Sequence, residues 1–362
     1  MNICFFCGGF AANGGIGRVT AIISGELARK GYNVYLCSFY EVECDSYYAV
    51  DDKCQKEELF PTPITMQRAL LRGHAIKKLV NYIRKNRIDV IVACGALYYP
   101  LVTLAAKKTG TKLVCWEHIN PKIKSDYKFQ DQCRVFGAKR SDINIQLTKS
   151  ALRMFEKRFP QKRNVQIYNP IDPVLLLSEP VYKTNSKRII SVGRLCYQKN
   201  FERLIDIAQH ILPQNPEWQW DIFGEGVLRD ALQNNIDTLG LTGRVNLCGQ
   251  VGDIYDRYND YSMIVMTSRY EGFPMVLLEG AARGLPMISL DFETGPNEII
   301  ENGVNGFLCD QESNDQIIEA IGKSIQNVNL RIKLSKGSRI TAERFSTEKI
   351  TECWDNLFRS LS

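Results

Sequence analysis

The sequence predicts an α/β protein made of two doubly wound, Rossmann-like domains facing across a cleft. Three observations predict it. Short β-rich runs alternate with helical stretches along the chain, the order expected of βαβ units and parallel sheets. Runs such as "DVIVAC" and "SMIVMT" are continuously apolar, as strands buried on both faces read. The same grammar then begins again after a proline-bearing stretch near the middle.

In the first half the strand-like pieces are "NICFFC", "NVYLCS", "DVIVAC", "KLVCW", "INIQL" and "VQIY". The first is followed by "GGFAANGGIGRVT", whose glycines permit a close backbone approach, and by a helical run over Val19–Leu27. Val90–Ala106 is 17 residues without a charge, but Gly95 and Pro100 divide it into strand, turn and helix. Tyr168–Lys187 carries Pro170, Pro173 and Pro180 and reads as the connection between halves. Beyond it come "RIISV", "WQWDIF", "VNLCG", "SMIVMT" and "PMISL", with a helix over Phe201–Ile211. The final stretch, Thr347–Leu361, places Ile350, Trp354, Leu357 and Phe358 at helical spacing. A chain of 362 residues suffices for two cores of ordinary size.

Composition bounds the class. The apolar fraction of 44% and charged fraction of 24% are globular, and a net charge of +6 is too modest to imply nucleic acid. Twelve cysteines are scattered, and Cys4, Cys7, Cys37, Cys94, Cys115 and Cys248 lie in or beside apolar runs, where free thiols behave as small hydrophobes. A reducing cytoplasm is the expectation. "MNICFFCGGF" lacks the basic segment of a signal peptide.

The chemistry-bearing residues fall after strands. "SVGRLCYQKN" puts Arg194 and Lys199 at a strand's carboxyl end beside a helix start, a clamp suited to a diphosphate. "DIFGEGVLRD" repeats strand, glycine loop and helix around Gly224, and "NLCGQVGDIYDRY" places Gln250 and Val251 in a loop able to hold a flat base. "RYEGFPMVLLEG" sets Glu271 in a loop and Glu279 in the second turn of a helix whose first position suits Pro274. Positions eight apart differ by about 80° around a helix, so the two acids should serve different parts of one ligand. Carboxylates accept hydrogen bonds from vicinal hydroxyls, which makes sugars and riboses natural partners. "SLDFETGPNEIIENGVNGF" reads as a further loop and short helix at Pro296. In the first half, "KLVCWEHIN" places Glu117 and His118 directly after a strand. No Asp-x-Asp occurs, so the commonest carboxylate pair for a nucleotide-bound divalent metal is missing.

Together these motifs resemble family 4 glycosyltransferases of the GT-B fold. Their E-x7-E motif corresponds to "EGFPMVLLE", their G-R-L and lysine to "GRLCYQK", their G-x-G loop to "GEG", and their remaining patterns to "GPNEIIENGVNG" and "NGGIGR". The resemblance implies an enzyme that binds the donor diphosphate through Arg194, Lys199 and Gly15. It implies that Glu279, with Gly224, Gln250 and Val251, meets ribose and base. Glu271 would face the transferred sugar, supported by Gly272, Phe273, Pro274 and Met275 and by the backbone amides of Phe273 to Val276. His118 would lie near the reacting carbon, with Gly14 and Glu117 on the acceptor side. It further implies metal-independent transfer with retained anomeric configuration, no cofactor beyond the nucleotide sugar, and a terminal helix that returns to the first domain. The domains would then be 1–168 with 345–362, and 169–344.

The expected donor is a UDP-sugar carrying a hexose or N-acetylhexosamine, and the expected acceptor a polyprenyl-diphosphate-linked or other glycan in bacterial surface polysaccharide assembly. Positions 122–163 carry twelve Lys/Arg against four Asp/Glu, and "MQRALLRGHAIKKLVNYIRKNR" has seven basic residues, no acidic ones and apolar residues at helical spacing. This pattern suits either an anionic membrane surface on the cytoplasmic side or a core-packed helix with a solvated basic face. An epimerase-like GT-B enzyme and a non-catalytic nucleotide-sugar-binding module remain alternatives. A dinucleotide dehydrogenase is disfavoured because Thr20 stands where the fingerprint's third glycine would be.

Overall fold

The computed structural model describes residues 1–10, 15–41, 50–61, 73–122, 129–177, 182–252 and 254–361. It contains two compact units, Met1–Pro170 with Thr347–Ser362, and Ile171–Ser346. Each limit falls two residues beyond the one read from the sequence.

In the first unit β1 (Asn2–Cys7), β2 (Asn33–Tyr40), β3 (Gln55–Phe60), β4 (Val90–Cys94), β5 (Lys112–Trp116), β6 (Ile143–Gln146) and β7 (Arg163–Gln166) form one sheet, ordered β3-β2-β1-β4-β5-β6-β7. In the second, β8 (Arg188–Val192), β9 (Gln219–Phe223), β10 (Val245–Gly249), β11 (Met263–Met266), β12 (Met287–Asp291) and β13 (Gly306–Asp310) are ordered β10-β9-β8-β11-β12-β13. All these pairings are parallel. In each sheet the chain winds outward from its first strand and then reverses on the other side. The reversal lies between β1 and β4 in one unit and between β8 and β11 in the other. Such switch points open a crevice at the strands' carboxyl ends, where doubly wound folds bind ligands.

Central strands are apolar on both faces because helices cover both. In the first unit Cys4, Phe6, Ile91 and Cys115 pack with Leu79, Val102 and Ala105 on one side. On the other side Trp354, from the terminal helix Thr347–Arg359, meets Trp116 at 4.7 Å and Phe5 at 5.7 Å between ring centroids. Tyr32 Oη donates to Asp355 Oδ1 at 2.6 Å, fixing that helix in register. In the second unit Ile189, Trp220, Ile222 and Val265 pack with Leu204, Ile205 and Ile321.

Two strands escape a hydropathy reading. β3, at one sheet's edge, begins with four exposed polar residues, Gln55–Glu58, and β13, at an edge of the second unit's sheet, is five residues long and begun by a glycine. The helix at Phe201–Ile211 has the predicted limits, and that at Gly15–Arg29 begins earlier than the apolar run suggests. Cys4, Cys7, Cys37, Cys94 and Cys115 are buried as expected. Cys248 is exposed, a correction that follows from β10 being an edge strand.

The basic segment resolves toward its core-packed alternative. Positions 66–72 lie outside the described residues, but in the helix His74–Lys85 the apolar residues Leu79, Val80 and Ile83 are buried in the core. Its apolar face is therefore turned inward, leaving Lys77, Arg84, Lys85 and, just beyond, Arg87 exposed. Among the described residues no helix is long and apolar enough to cross a membrane.

Candidate functional site

The loop after β8 is shaped by glycines at points of backbone contact. Gly224 has φ of +135°, and a Cβ there would lie 2.0 Å from the Gly193 carbonyl oxygen. The loop after β9 therefore rests directly on the loop after β8, held by Gly193 N–H to Phe223 C=O and Leu195 N–H to Glu225 C=O, each 2.9 Å. Gly224 N–H in turn donates to the Gly249 carbonyl at 2.8 Å, linking the loop after β10. Gly224 is thus required for packing of one loop on another. Gln250 and Val251 follow β10, with Gln250 exposed and Val251 half-buried.

Arg194 leaves this loop into solvent, and among the described residues its side chain forms no ion pair or hydrogen bond. Lys199 ends a short 3-10 turn, Tyr197–Lys199, and its stem lies against Gly193, where a Cβ would be 2.8 Å from a Lys199 carbon. Both cations follow β8, and β8's neighbour across the switch point is β11.

The loop after β11 supplies Glu271. Its carboxylate is held from three directions. Oε1 accepts from Lys199 Nζ at 2.7 Å and from Ser268 Oγ at 2.9 Å, and Oε2 accepts from Gln198 Nε2 at 2.8 Å. Thr294 Oγ1 donates to the Glu271 carbonyl at 2.6 Å. Lys199 and Glu271, assigned from the sequence to different parts of a ligand, are an ion pair in the free protein.

Gly272, Phe273 and Pro274 lead into the helix Met275–Ala282, and Pro274 is its cap with extended backbone, not its first residue. Proline has no N–H, so only Phe273, Met275 and Val276 can offer amides there. The cap residue, Pro274, contributes no side-chain hydrogen bond to this helix start. Gly295, at φ +113°, lets the loop after β12 pack on Pro274, because a Cβ would be 2.4 Å from the proline ring. Glu279 lies one turn further in, buried, with Oε2 accepting from Tyr258 Oη at 2.8 Å.

Gln198, Ser268, Tyr258 and Thr294 are contacts the sequence reading missed. Gln198 adjoins Lys199 and Ser268 closes the strand run, so adjacency was an available signal. Tyr258 and Thr294 reach their glutamates only through the fold.

In the first unit, His118 follows β5 with its ring against Trp116 at 4.2 Å between centroids. Its Nε2 is buried without a hydrogen-bond partner among the described residues. Burial drives its pKa down to about 3, so the imidazole is neutral at physiological pH. Glu117 requires correction. It is 2% exposed and its Oε2 accepts from buried Arg134 Nε at 2.6 Å, so its carboxylate stabilises the interior instead of facing an acceptor. Gly14 lies outside the described residues. Gly15 opens the helix after β1, and a Cβ there would meet nothing within 4 Å. At the end of β2, Glu41 accepts the Phe10 N–H with both carboxylate oxygens, at 2.8 and 3.0 Å. That carboxylate stands where a dinucleotide fold places its ribose-binding acid, and here it binds the glycine loop instead.

Two Rossmann-like units, each a parallel sheet with its own switch point, are the architecture of the GT-B class. Residues 13–175 match the family described as Glycosyltransferase Family 4, and residues 178–341 that described as Glycosyl transferases group 1. The chain belongs to the family 4 glycosyltransferases. It is 26% identical over 356 residues to an uncharacterized glycosyltransferase of Haemophilus influenzae, covering 98% of this chain and 99% of the relative. It is 28% identical to the amylovoran biosynthesis glycosyltransferase AmsD of Erwinia amylovora, covering 96% and 97% respectively. The fold is also that of S. aureus TarM, solved as a variant with fondaparinux, alpha-GlcNAc-glycerol and UDP. That comparison gives a TM-score of 0.85 at 15% identity, over 99% of this chain and 100% of that one.

Proposed function

We propose that this glycosyltransferase moves a hexose or N-acetylhexosamine from a UDP-sugar to a glycan or lipid-linked acceptor in bacterial surface polysaccharide synthesis, with retention and without a metal. The observation that carries the reading is the cluster at the β8–β11 switch point, where Lys199, Gln198 and Ser268 converge on Glu271. The similarity to AmsD supports the polysaccharide context, and the likeness to UDP-bound TarM supports the donor.

Transfer from a nucleotide diphosphate sugar develops negative charge on the leaving phosphate and positive charge on the sugar. Arg194, unpaired among the described residues, and Lys199 are the cations available to the diphosphate. The start of Met275–Ala282 adds amide donors and the positive end of a helix dipole. Glu279, fixed by Tyr258, accepts from ribose hydroxyls, and Glu271 accepts from the sugar being moved. With transfer on one face, the departing phosphate takes the acceptor's proton, so no protein nucleophile is required. His118, neutral and with Nε2 unpartnered among the described residues, is the first unit's candidate in this reading, able to offer a hydrogen bond without adding charge.

A panel of UDP- and GDP-sugars, assayed with and without a chelator and followed by NMR of the product anomer, tests this. Turnover of one UDP-sugar in chelator with retained configuration is the expected result. Binding without turnover on any acceptor would mark a binding module, and loss of activity in chelator would remove the metal-independent mechanism. Membrane attachment in this reading rests on charge, through Lys77, Arg84, Lys85 and Arg87, because among the described residues the helix's apolar face is in the core. Binding to anionic vesicles should then vanish at high salt, and salt-insensitive binding would contradict it.

A further inference from the structure

Gln198 bridges the loops that follow β8 and β11. Its Nε2 donates both to Glu271 Oε2 at 2.8 Å and to the Tyr270 carbonyl at 3.1 Å. Its own carbonyl accepts the Arg269 N–H at 2.8 Å. Three contacts from one residue therefore fix the backbone at Arg269, the backbone at Tyr270 and the carboxylate of Glu271.

We infer that Gln198 is a positioning residue: it holds the Glu271 carboxylate in its working orientation after donor phosphates have drawn Lys199 away. The inference rests on the donor-site reading above and deepens it. In the free protein Lys199 and Glu271 satisfy each other at 2.7 Å. A diphosphate carries more negative charge than one carboxylate and competes for the same ammonium. Lys199 can answer that competition because its charge sits on a flexible stem, here lying across Gly193 with no side chain beneath it. When the ammonium turns to phosphate, Oε1 keeps the Ser268 hydroxyl and Oε2 keeps Gln198.

The amide suits this task for a chemical reason. It is neutral, so phosphate does not attract it as it attracts lysine. The carbonyl of Tyr270 fixes which way its NH2 group faces, so the nitrogen and not the oxygen is presented to the carboxylate. A sugar-facing carboxylate needs such support, because a misplacement of about 1 Å near the chemistry can cost roughly 100-fold in rate.

The test uses the full chain and the isosteric Gln198→Met, with Gln198→Ala as a second variant, each measured for kcat and KM on the active UDP-sugar and for UDP affinity by calorimetry. UDP lacks the sugar that Glu271 is assigned to meet. The expected result is a fall in kcat of roughly 10- to 100-fold, with UDP affinity within about 2-fold of the parent. In a Glu271→Ala background the same substitution should change kcat by less than about 2-fold, since there is no carboxylate left to position. Unchanged kcat in Gln198→Met overturns the inference while leaving the donor site intact, provided Glu271→Ala is itself strongly impaired yet measurable. Equal losses of UDP affinity and turnover, or losses that multiply with Glu271→Ala, also overturn it by showing a general loop support. Full activity of Glu271→Ala overturns the donor-site reading and this inference together.

Discussion

Replacing Gly224 with alanine should damage both stability and donor binding, and the two losses can be worked from one contact. At φ of +135° an L-residue is strained, at a cost of about 1–3 kcal/mol. The new Cβ would also lie 2.0 Å from the Gly193 carbonyl oxygen, a backbone atom that cannot rotate aside. Forcing the loops apart adds about 1–3 kcal/mol of overpacking. The total is roughly 2–6 kcal/mol, a large share of the 5–15 kcal/mol that typically separates folded from unfolded states. At about 2–4 °C per kcal/mol for a unit of this size, the melting temperature should fall by around 10 °C. The displaced atoms are those of Gly193, whose neighbour is Arg194, so UDP affinity should drop at least about 10-fold, the equivalent of one charged hydrogen bond. Gly322→Ala is the control. It lies within the helix Asn314–Gln326 with nothing within 4 Å of its Cβ, and should stabilise by up to about 1 kcal/mol. Differential scanning calorimetry and UDP titration read both quantities. A Gly224→Ala protein that melts within 2–3 °C of the parent, roughly 1 kcal/mol, and binds UDP normally would refute the reasoning.

Three further outcomes follow from buried groups and from the terminal helix. Glu117→Ala leaves Arg134, 1% exposed, with only the exposed Asp131 as a carboxylate partner, and should destabilise by up to about 3–5 kcal/mol in urea titration; a loss under about 1 kcal/mol would return Glu117 to the candidate site residues. His118 has a folded pKa of about 3 against 6.5 unfolded, so below about pH 6.5 the unfolded chain takes up a proton that the folded one refuses. Stability should accordingly decline as pH falls from 6.5 toward 3, by about 2 kcal/mol at pH 5, and His118→Asn should flatten that decline. An unchanged pH profile in that variant would mean the imidazole is not desolvated. Trp354→Ala should cost about 3–5 kcal/mol, because its fully buried ring joins the terminal helix to Trp116 and Phe5; a melt unchanged by it would deny that helix a structural role.

Legibility in the sequence followed burial. Central strands such as Val90–Cys94 and Met263–Met266 announce themselves by unbroken apolar runs, because helices cover both their faces. β3 opens on the exposed polar run Gln55–Glu58, and β13 holds only Phe307, Leu308 and Cys309 between a glycine and an aspartate, so hydropathy passes over both. Arg194, Lys199, Glu271 and Glu279 could be nominated as candidates because each sits in a local strand–loop–helix pattern that the chain repeats. What the pattern could not give was pairing. Nothing in the spacing from Lys199 to Glu271 says that they meet at 2.7 Å; that follows from β8 and β11 being neighbours. The same limit explains Glu117, whose position after β5 resembled a site residue. Its partner Arg134 lies on the helix Gln130–Ala138, 17 residues further along the chain, and that contact turns the carboxylate inward.

The central claim is that the β8–β11 switch point of the second unit is a nucleotide-sugar donor pocket. Calorimetric titration of UDP into the parent, Glu279→Ala, Arg194→Ala and Glu271→Ala proteins tests it most directly. Metal-independent binding is expected in the parent, weakened at least about 10-fold in the first two variants and equal or tighter in Glu271→Ala, where Lys199 is released to the phosphates and the defect should appear only in turnover. Equal UDP affinity in all four proteins would contradict it.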